Sequence, residues 1–437
     1  MQEEQTSTGL IWFTNNLRAH DNEALTEASK NHNNVIAVYF FDPRQFATSS
    51  FRFKKTGKYR AKFLIETVED LKQNLQNLNI TLLVFQDQPE KMIISICDTY
   101  NVDTIYYQKE WTYEETEIID QIKRTIPKSV KTQGVYTQFL FHPRDIGMTE
   151  ENIPEVFTIF RKKIEKSVEI RPEASVKQMP YTNLIEDSSS SIPTLEDLGF
   201  SNFDTHPNSA FPFQGGETNG SDRLNRYFFE SKKLGVYKKT RNGLVGTDYS
   251  SKFSPWLANG SLSAKTVYWK VKEFENEQFK NESTYWLIFE LIWRDYFKYI
   301  SMKHGNKIFK LEGILNKTYD WSSDPTLVSN WIDGNTAEPF VNANMIELKK
   351  TGWMSNRGRQ NVASFFSKDL KLDWRIGAAY FESMLIDYDV QSNYGNWMYV
   401  SGVGNDPRDR KFNVKLQAER YDMNYKYQNL WLQTSLF

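Results

Sequence analysis

The segment Leu385–Tyr399, LIDYDVQSNYGNWMY, holds side chains that could do chemistry in a context that is otherwise apolar. Asp387, Asp389 and Asn393 cannot all follow the core face of one helix, because their spacing does not match the helical period. A buried carboxylate needs a hydrogen-bonded or ionic partner. The segment therefore predicts either a solvated turn, which Asp, Asn, Ser and Gly favour, or a wall around a polar ligand.

Charged side chains that could act as partners precede this segment. Arg357 and Arg359 stand before one apolar helical pattern, and Trp374 stands before the next. The two cations and the carboxylates at 387 and 389 thus bracket one helical region. Glu290 in FELIWRDYF also needs a partner, since its neighbours are largely apolar.

A second polar run, LVGTDYSSKFSPWLANGSLS between Leu244 and Ser263, interrupts a helical pattern. One interpretation is a serine-rich loop between helices. Its SSKFS core also offers hydroxyls, backbone N–H groups at a turn before a helix, and one ammonium, which are the donors that a pyrophosphate needs. Both interpretations stay open on the residues alone.

Composition limits the function classes. The chain has 437 residues, enough for two domains, and a net charge of −1, so any nucleic-acid site must be a local basic patch. Aromatic residues make up 15% of the chain and indicate a large core or stacking surfaces for planar ligands. The single Cys97 excludes an intramolecular disulfide, and the five His lack metal-ligand spacing, so we expect no metal.

Neither an export signal nor a membrane span is predicted. The first residues, MQEEQTST, lack a cationic and apolar signal, and VIAVYFF from Val35 is too short to cross a bilayer. We therefore expect a soluble, cytoplasmic protein.

The N-terminal part has the pattern of a parallel sheet. Short β-branched or aromatic runs occur at Leu10–Phe13, Val35–Phe41, Ile80–Phe85 and Thr104–Tyr107, with room for crossover helices between them. One apolar helical stripe runs from Leu64 to Leu78. No GxGxxG follows the first strand, so an ordinary dinucleotide site is not predicted.

The remainder of the chain divides by its helical content. In residues 141–216 proline dipeptides recur and disfavour long helices, apart from a short one around Val156–Lys166. From Leu224 onward helical spacing dominates. We predict a Rossmann-like α/β domain with a parallel sheet at 7–140, a connecting segment at 141–216 and an all-helical domain at 217–437.

Several stretches resemble the photolyase and cryptochrome family. NRGRQNVASFFSKDLKLDWRIGAAYFE followed by LIDYDVQSNYGNW is similar to its flavin-binding core, and WFTNNLRAHDNEAL is similar to its opening. GGETNGSDRLNRYFF resembles the entrance to its helical domain, where we expect Ser221 to cap a helix. Arg18, His20 and Asp21 in the opening can also be interpreted as a polar loop that caps the first helix. The resemblance extends over nearly the whole chain and implies that the helical domain binds FAD bent back on itself.

By this resemblance SSKFS holds the FAD diphosphate, and Asp387 pairs with Arg359 near the redox edge of the flavin. Asp389 accepts a hydrogen bond from the pyrimidine side of the flavin. Asn393 faces the flavin N5, where an amide adds no negative charge. On the residues alone Asn393 also fits a turn. The implied FAD-binding residues are Tyr237, Arg241, Ser250, Ser251, Lys252, Phe253, Ser254, Arg294, Arg359, Asp387, Tyr388, Asp389 and Asn393.

Three tryptophans have two compatible interpretations. Trp321, Trp374 and Trp397 each fit ordinary core packing. Jointly they match the family's electron-transfer chain, in which successive indoles carry an electron from the surface to the photoexcited flavin.

The resemblance also implies a substrate, a cyclobutane thymine dimer flipped out of the nucleic-acid stack into the cavity over the flavin. Glu290 and Asn356 would hydrogen-bond the dimer, and Trp293 would stack against it. Gln360 and Tyr399 stand where many duplex-specific photolyases have Met and Trp. This combination resembles DASH-type cryptochromes, whose light-driven repair favours single-stranded DNA.

We therefore expect a monomeric, FAD-dependent deoxyribodipyrimidine photo-lyase that repairs thymine dimers in single strands by cyclic electron transfer. The alternative is a blue-light receptor that binds nucleic acid or a partner without repair. Thirty residues follow Pro407, fewer than the long tail that signalling cryptochromes often carry.

A second chromophore is also implied. The segment YYQKEWTYEE follows the fourth predicted strand, where the family can bind a folate antenna. Glu110 fits contact with methenyltetrahydrofolate, while the adjacent Trp111 has no clear counterpart.

Overall fold

The computed structural model describes residues 7–186 and 190–433. The expectation that MQEEQTST is not an export signal concerns residues that lie mostly outside this range. The N-terminal part contains a parallel sheet with the strand order β3-β2-β1-β4-β5. Its strands are β1 (Thr8–Phe13), β2 (Asn34–Phe40), β3 (Leu82–Phe85), β4 (Val102–Gln108) and β5 (Lys131–Val135).

The four predicted strands are confirmed, with ends that differ by one or two residues. The strand β5 is absent from the prediction because KTQGV has a single apolar residue and lies only partly buried at the sheet edge. The strand order changes direction between β1 and β4. In open α/β sheets this is the position where ligands bind, beyond the carboxyl ends of the strands.

Four helices accompany the sheet and a fifth lies in residues 141–216. The predicted stripe is confirmed on the second of them, where Val68, Leu71 and Leu75 are fully buried against the sheet. The helices are α1 (Glu23–Asn31), α2 (Lys58–Asn77), α3 (Pro89–Tyr100), α4 (Tyr113–Thr125) and α5 (Phe157–Ser167).

The described part from residue 217 to residue 433 is helical, as predicted. Two of its helices, α6 and α13, continue into π-helical turns. The helices are α6 (Glu217–Asn225), α7 (Tyr237–Thr240), α8 (Ser254–Asn259), α9 (Ala264–Glu277), α10 (Glu282–His304), α11 (Pro325–Asp333), α12 (Pro339–Thr351), α13 (Asn356–Ser364), α14 (Trp374–Met384), α15 (Val390–Ser401), α16 (Val414–Tyr421) and α17 (Lys426–Leu432).

The long helix α10 joins the two parts of the chain. It begins with a reciprocal capping box between Asn281 and Thr284, which fixes its first turn. Farther along, the buried carboxylate of Asp295 accepts hydrogen bonds from the backbone N–H groups of Leu140 and Phe141. The helix that carries Glu290 and Trp293 is therefore anchored to the segment that leaves the sheet.

Arg18 and Asp21 do not cap the first helix. Asn22 caps α1, and the buried Arg18 guanidinium donates to the backbone carbonyls of Asp21, Thr137 and Gly260. Asp21 forms a buried ion pair with Lys265 at 2.8 Å. The capping interpretation is wrong because these polar groups are used to connect the sheet domain with the helical part.

One further expectation needs correction. Ser221 lies inside α6, which begins after Gly216, so it is not a cap. The segment 141–216, predicted as a connection, also contributes Phe160, Ile164 and Met179 to the buried core. Within the described residues, no helix is both long enough and apolar enough to cross a membrane.

Candidate active site

A cavity of about 440 Å³ opens in the helical domain and brings together most of the residues singled out in the sequence. The polar run between α7 and α8 forms one wall, and α10, α13 and α15 form the others. The predicted residues that line it are Tyr237, Arg241, Ser250, Ser251, Lys252, Phe253, Ser254, Glu290, Trp293, Arg294, Asn356, Arg359, Gln360, Asp387, Asp389 and Tyr399.

Lys252 is suited to bind an anion. Its side chain is buried and its Nζ has no hydrogen-bond partner among the described residues. The Nζ atom lies 3.2 Å from the centroid of the Tyr249 ring and 4.6 Å from that of Trp353. Burial lowers the pKa of Lys252 well below its usual value, although the carboxylate of Glu347 opposes the shift. A buried, unpaired amine beside serine hydroxyls fits an anionic group such as a diphosphate.

Two ion pairs provide partners for the carboxylates of Asp387 and Asp389. The Arg359 Nη2 donates to both Asp387 oxygens at 2.9 Å. The Lys298 Nζ donates to Asp389 Oδ2 at 2.8 Å, and Asp389 Oδ1 accepts from the backbone N–H of Ser392 and so caps α15. The segment is thus both a helix start and a cavity wall.

The electrostatics of Asp389 depend on its cationic neighbours. Burial by itself would raise the pKa of Asp389, but Lys298 and Arg294 outweigh it and hold that pKa well below its usual value. The carboxylate is therefore charged at neutral pH. Arg294 is fixed by hydrogen bonds to the backbone carbonyls of Gln138 and Leu257.

Two predicted cofactor residues occupy different surroundings. Asn393 is buried in the first turn of α15, and its Nδ2 donates to the carbonyl oxygen of Ala378 at 3.0 Å. The ring of Tyr388 lies beneath the Arg60 guanidinium and lines a second cavity rather than the first.

The lining of the first cavity also includes an acid and two aromatic rings. Glu290 forms an ion pair with the Arg241 Nη1 at 2.6 Å. Burial raises the pKa of Glu290, whereas Arg241 opposes the shift. Trp293 and Tyr399 meet edge to face, with ring centroids 5.9 Å apart and an interplanar angle of 89°. Such a corner offers two perpendicular apolar faces next to a carboxyl group.

The three tryptophans lie on or beside the packed helices α14 and α15. A β-carbon on Gly377 of α14 would collide with the Trp397 ring, so Trp397 packs directly on the helix that Trp374 begins. Residues 371 and 373 exchange backbone hydrogen bonds with Ser322, which places Trp321 beside the start of the same helix. Trp397 and Trp374 are buried, whereas Trp321 is partly exposed.

A second cavity of about 650 Å³ lies beyond the carboxyl ends of β1, β2 and β4, where the strand order changes direction. Glu110 lines it and accepts a hydrogen bond from Gln108 at 2.6 Å. Burial raises the pKa of Glu110 to about 7. Gln138 and Gln391 line this cavity, and the Oε1 of Gln138 and the Nε2 of Gln391 are buried without a hydrogen-bond partner among the described residues.

The sequence interpretation missed Lys298. A signal for it was available, because Glu290, Arg294 and Lys298 recur every four residues and so share one face of α10. Trp111, the neighbour of Glu110, has a packing role. Its Nε1 donates to the Ser301 Oγ at 2.6 Å, and its ring stacks on Phe139.

Comparisons with known proteins agree with this architecture. Residues 9–180 match a family model described as DNA photolyase, and residues 286–435 match one described as the FAD binding domain of DNA photolyase. A Cryptochrome DASH from Synechocystis sp. is 46% identical, with 97% of this chain and 87% of the relative covered. One from Xenopus laevis is 44% identical, with 96% and 81% covered.

Solved structures give the same result. A Synechocystis cryptochrome superposes with a TM-score of 0.93 at 46% identity, covering 98% of this chain and 88% of that one. A class III photolyase from Agrobacterium tumefaciens has a TM-score of 0.82 at 23% identity, covering 99% and 87%, and shares the fold.

Lys298→Met should lower the free energy of unfolding by about 3 to 5 kcal/mol, because it leaves the Asp389 charge buried without its partner. Adding Asp389→Asn should recover much of this loss, since Asn removes the charge and still caps a helix. Urea unfolding followed by circular dichroism measures both effects. Lys123→Met is the matched control, because Lys123 pairs with Asp120 on the surface, where an ion pair contributes about 1 kcal/mol or less. A double variant no more stable than Lys298→Met would contradict this account.

Proposed function

We propose that this chain, which belongs to the photolyase and cryptochrome family and to its DASH branch, uses blue light to repair cyclobutane pyrimidine dimers, preferentially in single-stranded DNA. One observation carries the proposal. A single cavity is lined by a buried lysine amine without a hydrogen-bond partner among the described residues, by serine hydroxyls, and by an acid and a pair of aromatic rings that meet edge to face. The first set suits a dinucleotide cofactor and the second suits a flipped pyrimidine pair.

The residues around Lys252 fit FAD. Lys252 and the hydroxyls of Ser250, Ser251 and Ser254 would hold the diphosphate, which would give the Lys252 amine a direct hydrogen-bond partner. When bound, FAD supplies the light-absorbing electron donor. The remaining implied contacts are Tyr237, Arg241, Phe253, Arg294, Arg359, Asp387 and Asp389 at the cavity, with Asn393 behind it.

The two carboxylates in the segment before α15, Asp387 and Asp389, are each balanced by a cation. Because Arg359 neutralises Asp387 and Lys298 neutralises Asp389, no unpaired carboxylate from this segment opposes added negative charge in the cavity. Asn393 contributes a neutral amide. This balance favours a reduced, anionic cofactor. The Tyr388 side chain, which lies in the second cavity, has no place in this set.

Glu290, Asn356, Trp293 and Tyr399 form the part of the cavity that would face the substrate, here called the substrate wall. This wall would act on the dimer by hydrogen bonding and stacking. Glu290, whose pKa is raised by burial, would donate a hydrogen bond to a pyrimidine carbonyl edge, assisted by Asn356. Trp293 and Tyr399 would stack against the two bases. Transfer of an electron to the dimer would break the two carbon–carbon bonds that join the pyrimidines and restore the C5=C6 double bond of each base, and return of the electron leaves no net redox change.

The three tryptophans would reactivate the cofactor. Trp321 is partly exposed and can be re-reduced from solvent, whereas Trp374 and Trp397 relay the electron inward to the cavity. Their packing role does not conflict with this use.

We also propose that the second cavity binds an antenna of the methenyltetrahydrofolate type. Glu110, Gln138 and Gln391 offer an acid and two amides at the sheet edge where a heterocycle can bind. In this division, residues 7–140 form the antenna domain, 141–216 the connecting segment and 217–437 the catalytic domain.

Substrate choice tests the proposal. The parent protein, reduced and illuminated, should restore thymines efficiently in single strands and poorly in closed duplex, because opening a duplex costs a few kcal/mol. Gln360→Met combined with Tyr399→Trp should raise duplex binding, since stacking contributes about 1 to 3 kcal/mol per base. Equal repair in both substrates would contradict the DASH-type preference alone. A parent that binds FAD but repairs neither substrate would favour the light-receptor alternative.

Trp397→Phe should severely slow photoreduction while FAD stays bound, because the core volume is nearly kept but the oxidisable indole is lost. Repair that starts from chemically reduced protein should survive. Absorbance changes under blue light measure the rate. Trp331→Phe is the matched control, since Trp331 is also buried and its ring centroid lies 6.2 Å from that of Trp397. Equal photoreduction rates in the parent and in Trp397→Phe would show that Trp397 does not take part in electron transfer to the flavin.

A further inference from the structure

The connecting segment contributes an aromatic ring directly behind the substrate wall. Phe157, the first residue of α5, stacks face to face on Trp293, with centroids 3.6 Å apart and an interplanar angle of 12°. Among the described residues this is the shortest separation between two aromatic rings. Phe157 is buried and also contacts Phe289 and Tyr296 edge on.

This stack determines how Trp293 can meet a ligand. One face of the indole is covered by Phe157, and Phe297 and Tyr399 bound other parts of the ring. Only the remaining part of the partly buried Trp293 faces the cavity. A rotation of the indole would break the parallel contact with Phe157, so this contact favours one orientation of the ring plane.

We infer that Phe157 is a positioning residue that holds Trp293 in the plane needed to stack on a flipped pyrimidine dimer. The inference rests on the proposed function, because it concerns the same substrate wall. It assigns a role in substrate affinity to residues 141–216, which otherwise connect the two domains. Aromatic pairs contribute about 0.5 to 1.5 kcal/mol beyond buried area, so loss of this contact can change the affinity by at most about two- to twelvefold.

The experiment measures binding in the dark of single-stranded oligonucleotides with and without one dimer, using the FAD-loaded protein. Phe157→Leu should weaken the dimer-specific affinity by about two- to twelvefold and leave the affinity for undamaged DNA unchanged. Phe157→Tyr keeps the ring face and should bind as the parent does. Phe160→Leu is the matched control, because Phe160 lies one turn farther along α5, is buried, and packs on Tyr296 and Tyr299 rather than on Trp293.

A double-mutant cycle separates positioning from general packing. If Phe157 acts through Trp293, then Phe157→Leu should cost no further affinity in a Trp293→Leu background. Additive losses, or an equal loss of dimer affinity in Phe160→Leu, would overturn the inference. A parent protein that binds dimers no better than undamaged DNA would instead refute the proposed function. If the parent prefers dimers and Phe157→Leu binds them with the same affinity as the parent, the positioning role alone would be refuted.

Discussion

Two ion pairs with little access to water, Arg359 to Asp387 and Lys298 to Asp389, determine how the site is assembled. Each joins a cation on one helix to a carboxylate in the short segment before α15, so α10, α13 and α15 are fixed relative to one another. Breaking either pair would leave a buried charge, which costs more than the intact pair contributes. The geometry of the cavity therefore depends on charges that must stay paired.

The same segment separates two cavities that would serve different chromophores. Asp389 and Arg294 line both of them, together with Ala258. One cavity lies at the carboxyl ends of the strands and the other among helices, so the wall between them is also the junction of the two domains. This arrangement explains why residues 385–399 contain more polar groups than a core segment normally does. It also places any chromophore in the second cavity close to the cofactor cavity.

Much of the fold and of the site could be predicted from the sequence, because it depends on local patterns. Periodicity located four strands and the stripe on α2, and the spacing in SSKFS and LIDYDVQSNYGNW pointed to the cavity walls. Contacts between distant segments could not be predicted in the same way. Lys298 precedes Asp389 by 91 residues in the chain. Phe157 contacts Trp293 from residues 141–216, where the prolines indicate how the backbone runs but not which side chains it packs against. The capping interpretation of Arg18 is wrong because the sequence does not reveal its tertiary partners Thr137 and Gly260, and Ser221 is not a cap because α6 begins earlier than predicted.

If one cavity brings a light-excited electron donor and a pyrimidine dimer together in a closed electron cycle, each flavin should act repeatedly. This can be measured by continuous blue illumination of the reduced, oxygen-free protein with excess dimer-containing single strands, with restored thymines counted per flavin and the flavin spectrum recorded throughout. We expect each flavin to restore many dimers while the spectrum stays that of the reduced form. Repair that stops after one dimer per flavin, with the flavin oxidised, would show that the electron does not return.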